Sequence, residues 1–340
     1  MNRRKFVLSF TSVAVANAVG CTPAALVPIG GETLDAATID KDLFALLPAG
    51  IIVFGNLDAR SLFATEIGGD IASLIASVVP LGPESNFSIG RDVSRVVGGV
   101  YAMQGVDFCV AVRGNFDVAA INAAATNRAT VPSGAPIVRT QYGPYQLFTV
   151  ANLGFVMLTP STMLSGNEIG MRRALDRLRY NRLGRAIPSW MIGFAESTGS
   201  VFSVAGDFGA ESAPSIGPNG LLTSAPRASS AAAPILAAAA QNFPFLADLR
   251  ALRVVGNFQS PGMNLAGALT YGSPERAEAG GVALRNLASM AQFAGIFSSF
   301  GFGGLPNAQI AVNGSDVGFA QPIDVGFARM AIGMLKGGLW

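Results

Sequence analysis

Apolar residues occur along this chain in short blocks whose spacing alternates between two periods, and each change of period marks an element. Residues 48–55 are almost wholly apolar, as a strand covered on both sides would be. Ile67, Ile71, Leu74, Ile75 and Val78 then recur at helical steps up to Pro80, which predicts a helix. Two β-rich segments, 95–103 and 107–113, flank Gln104-Gly105-Val106 and read as a hairpin. A short alanine-rich helix is expected over 118–126, then strands over 137–140, 145–150 and 155–158, with Gly143-Pro144 and Asn152-Leu153-Gly154 as turns. Ser165-Gly166-Asn167-Glu168 has the spacing of a capping box, so a helix should begin there and run to about Tyr180, with Met171, Leu175 and Leu178 inward. Ser273-Pro274-Glu275 opens another helix, with Ala283, Leu287, Met290, Ala294 and Phe297 as its apolar positions. Residues 286–315 pass 30 positions without a charge, but their polar residues and glycines favour a buried helix and a glycine-rich loop over a membrane span. Residues 324–335 read as a capped tail helix.

A weak repetition overlies these elements. Arg95-Val96-Val97-Gly98 recurs as Arg253-Val254-Val255-Gly256, each followed by a glycine-containing turn, a second β segment and a helix. Upstream, 48–54 is echoed by 188–194, with Ile52 and Ile192 in register. The pattern predicts an α+β fold of two similar units, each a curved antiparallel sheet with helices packed on one face. The units would span 43–187 and 188–340, the second carrying a flexible loop over 211–233 that is rich in Ser, Pro, Gly and Ala.

The first 21 residues have a different character. Met-Asn-Arg-Arg-Lys is followed by a mildly apolar stretch from Val7 to Val19 and then Gly20-Cys21, the layout of a signal peptide over 1–20. Its 13 apolar-region residues rise about 20 Å as a helix, short of a roughly 30 Å hydrocarbon core. Arg3, Arg4 and Phe6, in Arg3-Arg4-Lys5-Phe6-Val7, resemble the twin-arginine export signal, although Asn2 stands where Ser or Thr is usual; an ordinary secretory signal is the alternative. Ala18-Val19-Gly20-Cys21 resembles a bacterial lipobox, which implies that Cys21 is acylated and becomes the mature N-terminus. Residues 21–42 would then be a lipid-anchored tether, held at a membrane by about 0.8 kcal/mol per buried methylene.

Charge and composition narrow the chemistry. Removal of 1–20 takes away Arg3, Arg4 and Lys5 and leaves 20 basic against 21 acidic residues, a net charge of −1. Neither a nucleic-acid partner nor a polybasic membrane footprint is expected from such a balance. Histidine is absent, which excludes imidazole metal sites and Ser-His or Cys-His dyads. No phosphate loop, Gly-x-Ser-x-Gly elbow, Ser-x-x-Lys or Gly-x-Gly-x-x-Gly is present, and no cysteine pair has metal spacing, so neither catalytic residues nor a metal or other cofactor is expected. Among carboxylates only Glu66 and Asp70 share a helical spacing. Cys109, inside the apolar run 108–112, reads as an inert core thiol. Arg172, Arg173, Arg177 and Arg179, with Arg182 and Arg185 beyond them, offer an anion- or partner-docking face; a solvated helix side is the alternative.

The address and the apolar, phenylalanine-rich body together resemble bacterial envelope lipoproteins, and the body is similar to uncharacterised lipoproteins built from repeated α+β units. That resemblance implies a non-enzymatic protein on the periplasmic side of the cell envelope, anchored through N-terminal acyl chains to the outer rather than the inner membrane. It would bind an apolar ligand, a lipid or a protein partner. The competing expectation is a structural or accessory subunit of a membrane complex.

Overall fold

The computed structural model describes residues 34–78, 81, 83–102, 107–131, 134–197, 199–209, 240–259, 262–296, 308–326, 328–329 and 332–333. The signal region, Cys21 and the loop over 211–233 lie outside them. The fold is α+β and is dominated by one antiparallel sheet of twelve strands. In chain order these are β1 (Val53–Asp58), β2 (Val93–Ala102), β3 (Asp107–Gly114), β4 (Val138–Tyr142), β5 (Tyr145–Val150), β6 (Leu153–Met157), β7 (Thr162–Asn167), β8 (Phe202–Asp207), β9 (Leu249–Gln259), β10 (Gly262–Tyr271), β11 (Gln309–Asn313) and β12 (Asp316–Asp324). Their order across the sheet is β11-β12-β10-β9-β8-β1-β2-β3-β7-β6-β5-β4.

Two expectations are corrected by this order. The halves do not form separate sheets: β8 pairs with β1 through Val204 opposite Gly55 and with β9 through Val204 opposite Val254, so one ladder runs across both. The helices also do not keep to one face. On the back, Phe54, Val97, Cys109, Leu164 and Val156 pack against α1 (Ala36–Asp40), α2 (Leu43–Leu46), α7 (Glu168–Arg179) and α8 (Ser189–Ser197). On the front, Val112, Met163, Phe155 and Phe148 pack against α3 (Ala59–Phe63) and α6 (Val118–Asn127), with α4 (Gly68–Val78) and α5 (Ile89–Asp92) beside them. Alternating side chains of one strand supply both layers, which is why the apolar runs here are continuous. Cys109 is fully buried among the back-face side chains as expected, and burial pushes its thiol up to about 12.

The local expectations fare unevenly. The helix after β7 begins at Glu168 as the spacing suggested, but its cap is Asn167, whose side chain accepts from the Gly170 amide at 3.0 Å. Ser165 instead stays in the strand and donates to the Gly154 carbonyl at 2.9 Å. The echo between 48–54 and 188–194 does not hold. The first passes into β1, whereas Met191, Ile192 and Ala195 bury one side of α8 at helical spacing. Residues 34–42 are not wholly a tether either, since α1 packs Ile39 into the core at 2% exposure. The strands β7, β8, β11 and β12 were not anticipated; glycines and single polar residues interrupt the apolar pattern of β7, β8 and β12, and β11 is only five residues long.

The long helix α9 (Pro274–Ile296) opens at its proline as expected but presents a different face. Among its described side chains Ala277, Gly280 and Gly281 are buried, Ala283 is half-buried and Leu287 is exposed, whereas those of Met290, Ala294 and Phe297 lie outside the described ones. A Cβ on Gly280 would overlap the Tyr271 ring, and one on Gly281 would lie 2.6 Å from the Val312 side chain. Small residues therefore let α9 approach the front of β9–β12 closely, over Leu249, Leu269 and Val317.

Candidate functional site

On the front face the connection after α3, the outer end of the β9–β10 hairpin and the helical residues after β12 border a half-open cavity of about 260 Å³. Its walls are Ala64, Thr65, Glu66 and Ile67 on one side, Phe258, Gly262 and Met263 on the floor, and Val325 and Ala328 on the other side. The positions follow from local rules. Asp58 caps α3 by accepting from the Ser61 amide at 3.1 Å, and Ala64 closes the helix with its amide donating to Arg60. Antiparallel register places Phe258 opposite Met263, and Gly262 opposite both Gln259 and Asp324, so floor and far wall meet at one end of the sheet.

The floor residues Phe258 and Met263 are half-buried. Phe258 lies 6.3 Å from Phe202 between ring centroids. The Phe202 ring covers Gly256, where a Cβ would overlap it. Thr65 is not a free donor, because its hydroxyl is spent on the Leu62 carbonyl at 2.7 Å. At the rim, the Arg329 Nε stands 3.2 Å from Asp70 Oδ2, and its Nη2 donates to the Glu66 carbonyl at 3.3 Å. The two carboxylate positions singled out by their spacing thus share one arginine, which ties α4 to the chain after β12. Both partners in the Asp70–Arg329 pair are substantially exposed, so it contributes little to stability.

The sequence-based site residues fall in two groups. Arg3, Arg4, Phe6 and Cys21 lie outside the described residues. Of the arginines, Arg172 is ion-paired with Glu168 and stacked over Tyr142 at 5.1 Å. Arg173 donates to the Ala49 carbonyl at 3.1 Å and lies over the Tyr101 ring at 4.9 Å. Arg177 donates to the carbonyls of Ala45 and Gly184, and burial pulls its guanidinium below the usual value. Arg185 holds Asp42 at 2.6 Å and Glu196 at 2.9 Å. Arg179 makes a different contact, lying over Tyr180 at 5.7 Å. Four of the six thus fasten parts of the chain to one another. No cluster of potential metal-binding side chains occurs among the described residues.

Apart from Glu66 and Ile67, which helical spacing had marked, the cavity residues carried no sequence signal. Phe258, Met263 and Val325 are ordinary apolar positions until strand register brings them together.

No protein-family model matches the chain, and no curated protein matches it. Among solved structures, crystal form III of TP0453 is similar at 14% identity, covering 86% of this chain and 97% of that one, with a TM-score of 0.48. Crystal form I of TP0453 aligns at 15% identity over 87% and 97% of the two chains, also with a TM-score of 0.48. Crystal form IV gives 14%, 87%, 98% and 0.45 in the same terms. A likeness at this level carries no functional argument.

Proposed function

We propose that this chain is a non-enzymatic, membrane-anchored envelope lipoprotein that holds a single apolar chain in the front-face cavity. The cavity carries the reading. Its volume of about 260 Å³ exceeds the roughly 150 Å³ of an engineered apolar cavity that binds benzene, and falls below the usual ligand-pocket range of about 300 to 1,000 Å³. Part of one acyl chain fits that space; a two-tailed phospholipid does not. The lipobox at Cys21 supports placement in the envelope, since acylation would keep the protein beside a source of such chains. No helix among the described residues is long and apolar enough to cross a membrane.

The same reading takes the halves as duplicated units. Outward from the β1/β8 seam, the order β1-β2-β3-β7-β6 is matched by β8-β9-β10-β12-β11, and the shared Arg-Val-Val-Gly segments fall on β2 and β9.

Solvent extraction and mass spectrometry of protein purified from its native membrane provide the test. A single-chain lipid should be recovered near one per protein, and Ala64→Trp or Met263→Trp, which fill the cavity, should remove it. Lipid-free protein, or unchanged lipid content in both variants, overturns the reading. The second reading, an accessory subunit, draws on β11, an edge strand of the sequence Gln-Ile-Ala-Val-Asn without a charge to discourage pairing. It predicts co-migration with fixed partners in mild detergent.

A further inference from the structure

We propose that Arg179, Tyr180 and Arg182, at the C-terminal end of α7, contact the anionic lipid headgroups of the membrane to which the chain is anchored. The proposal rests on the reading of Cys21 as acylated. Six arginines lie between 172 and 185 against a single acid, Asp176, and the structure divides them by use. Arg172, Arg173, Arg177 and Arg185 are committed to carboxylates or to backbone carbonyls of neighbouring segments. Arg179 and Arg182 have no ion-pair or side-chain hydrogen-bond partner among the described residues; both stack on Tyr180, at 5.7 and 5.6 Å from its ring centroid. Tyr180 itself is 42% exposed. An exposed aromatic between two uncommitted guanidinium groups matches the chemistry of a membrane interface, where the ring sits at headgroup level and the cations meet phosphate.

The described chain begins near this patch. Ala49 is held by Arg173, Ala45 by Arg177 and Asp42 by Arg185, so the segment from Asp42 to Ala49 runs antiparallel to α7. Asp40 accepts from the hydroxyls of Thr159 and Thr162 at 2.6 Å each, which places it at the start of β7. Because α7 reverses direction after β7, that is also the end of the sheet where α7 finishes. The chain therefore enters the body at the end that carries Tyr180. Cys21 precedes Leu34 by 13 residues, a reach of at most about 45 Å. Each arginine near an anionic surface contributes about fivefold to association.

The test uses the full mature protein, extracted from its membrane and reconstituted into vesicles of phosphatidylcholine alone or mixed with phosphatidylglycerol. Gly184 is exposed, and a Cβ there meets nothing within 4 Å, so Gly184→Cys accepts an environment-sensitive dye beside the patch. Glu278→Cys, on an exposed position of α9, is the control. The dye at position 184 should shift to the blue only when phosphatidylglycerol is present. Arg179→Gln with Arg182→Gln should reduce the shift severalfold, and the control dye should not respond. No shift at 184, an equal shift in phosphatidylcholine, or a shift that survives the double substitution overturns the proposal; a patch that instead serves an acidic protein partner gives the first of these. Intact mass of the same protein reports separately on Cys21: absence of acyl mass refutes the anchor, whereas an acylated protein that floats with vesicles without the dye shift refutes the patch alone.

Discussion

The strands from β1 to β7 and those from β9 to β12 belong to one sheet but are finished differently. In the first group both faces are roofed, and Phe54, Cys109, Leu164 and Phe148 are at or near zero exposure. In the second group α9 covers the front, while the back presents Val255, Ala266, Ala268, Gly318 and Ala320 beside the Arg253–Asp316 pair, none of them buried. The difference shows how strand pattern and cover are linked. Large residues on both faces require helices on both, whereas small and polar residues on one face are tolerated half-buried, without a described helix over them.

The largest test of that contrast is a truncation in each region. Phe54→Ala empties a fully buried site and should cost about 3 to 5 kcal/mol, whereas Leu252→Ala, on the half-buried front of β9, should cost about 1 to 2 kcal/mol. Urea unfolding measures both, and equal losses would mean that the second region is as deeply packed as the first.

A finer test lies in two strand glycines close together on β1 and β2. Gly99 faces the covered back, where a Cβ would overlap Ile51 and approach the Tyr101 hydroxyl; Gly99→Ala should destabilise by about 1 to 3 kcal/mol. Gly55 faces the front with nothing within 4 Å of its Cβ position, and Gly55→Ala should stay within about 0.5 kcal/mol. Similar thermal shifts for the two would remove the distinction between the faces.

The smallest effect is expected at Cys109. Its substitution by Ala should cost about 1 kcal/mol, and the native thiol should react with thiol reagents far more slowly than in the unfolded chain. Burial raises the thiol from an ordinary value near 9 to about 12 in the folded state. The folded chain therefore holds this proton more tightly. Its contribution is complete below about pH 9 and declines as pH rises towards about 12, so the parent should lose more stability across that window than Cys109→Ala.

Much of the fold was legible because its causes are local. β-rich composition between turn residues marked β2, β3 and β5, proline marked the start of α9, and the apolar run around Cys109 required cover on both faces. The errors are instructive for the same reason. The capping-box spacing at Ser165 was satisfied two residues later by Asn167, since strand pairing with β6 had already claimed Ser165. On α9 the apolar residues suggested the inward face, but close approach to Tyr271 and Val312 selected glycines instead. The candidate site was less legible still. Six arginines looked equivalent in sequence; their separation into four fasteners and two that meet only the Tyr180 ring among the described residues depends on which carbonyls and carboxylates lie opposite.

The sequence alone determined the α+β class, the starts of α6, α7 and α9, the buried character of Cys109 and the exclusion of imidazole chemistry, because each depends on residue type or on spacing within one turn or one strand. Tertiary structure decided that the two halves share one sheet, that helices roof both faces of the first, that Phe258, Met263, Ile67 and Val325 line one pocket, and that Arg179 and Arg182 stack on Tyr180 and find no ion-pair partner among the described residues. Each of these depends on pairing between residues tens to hundreds of positions apart, where register and packing choose among partners that local pattern leaves equivalent.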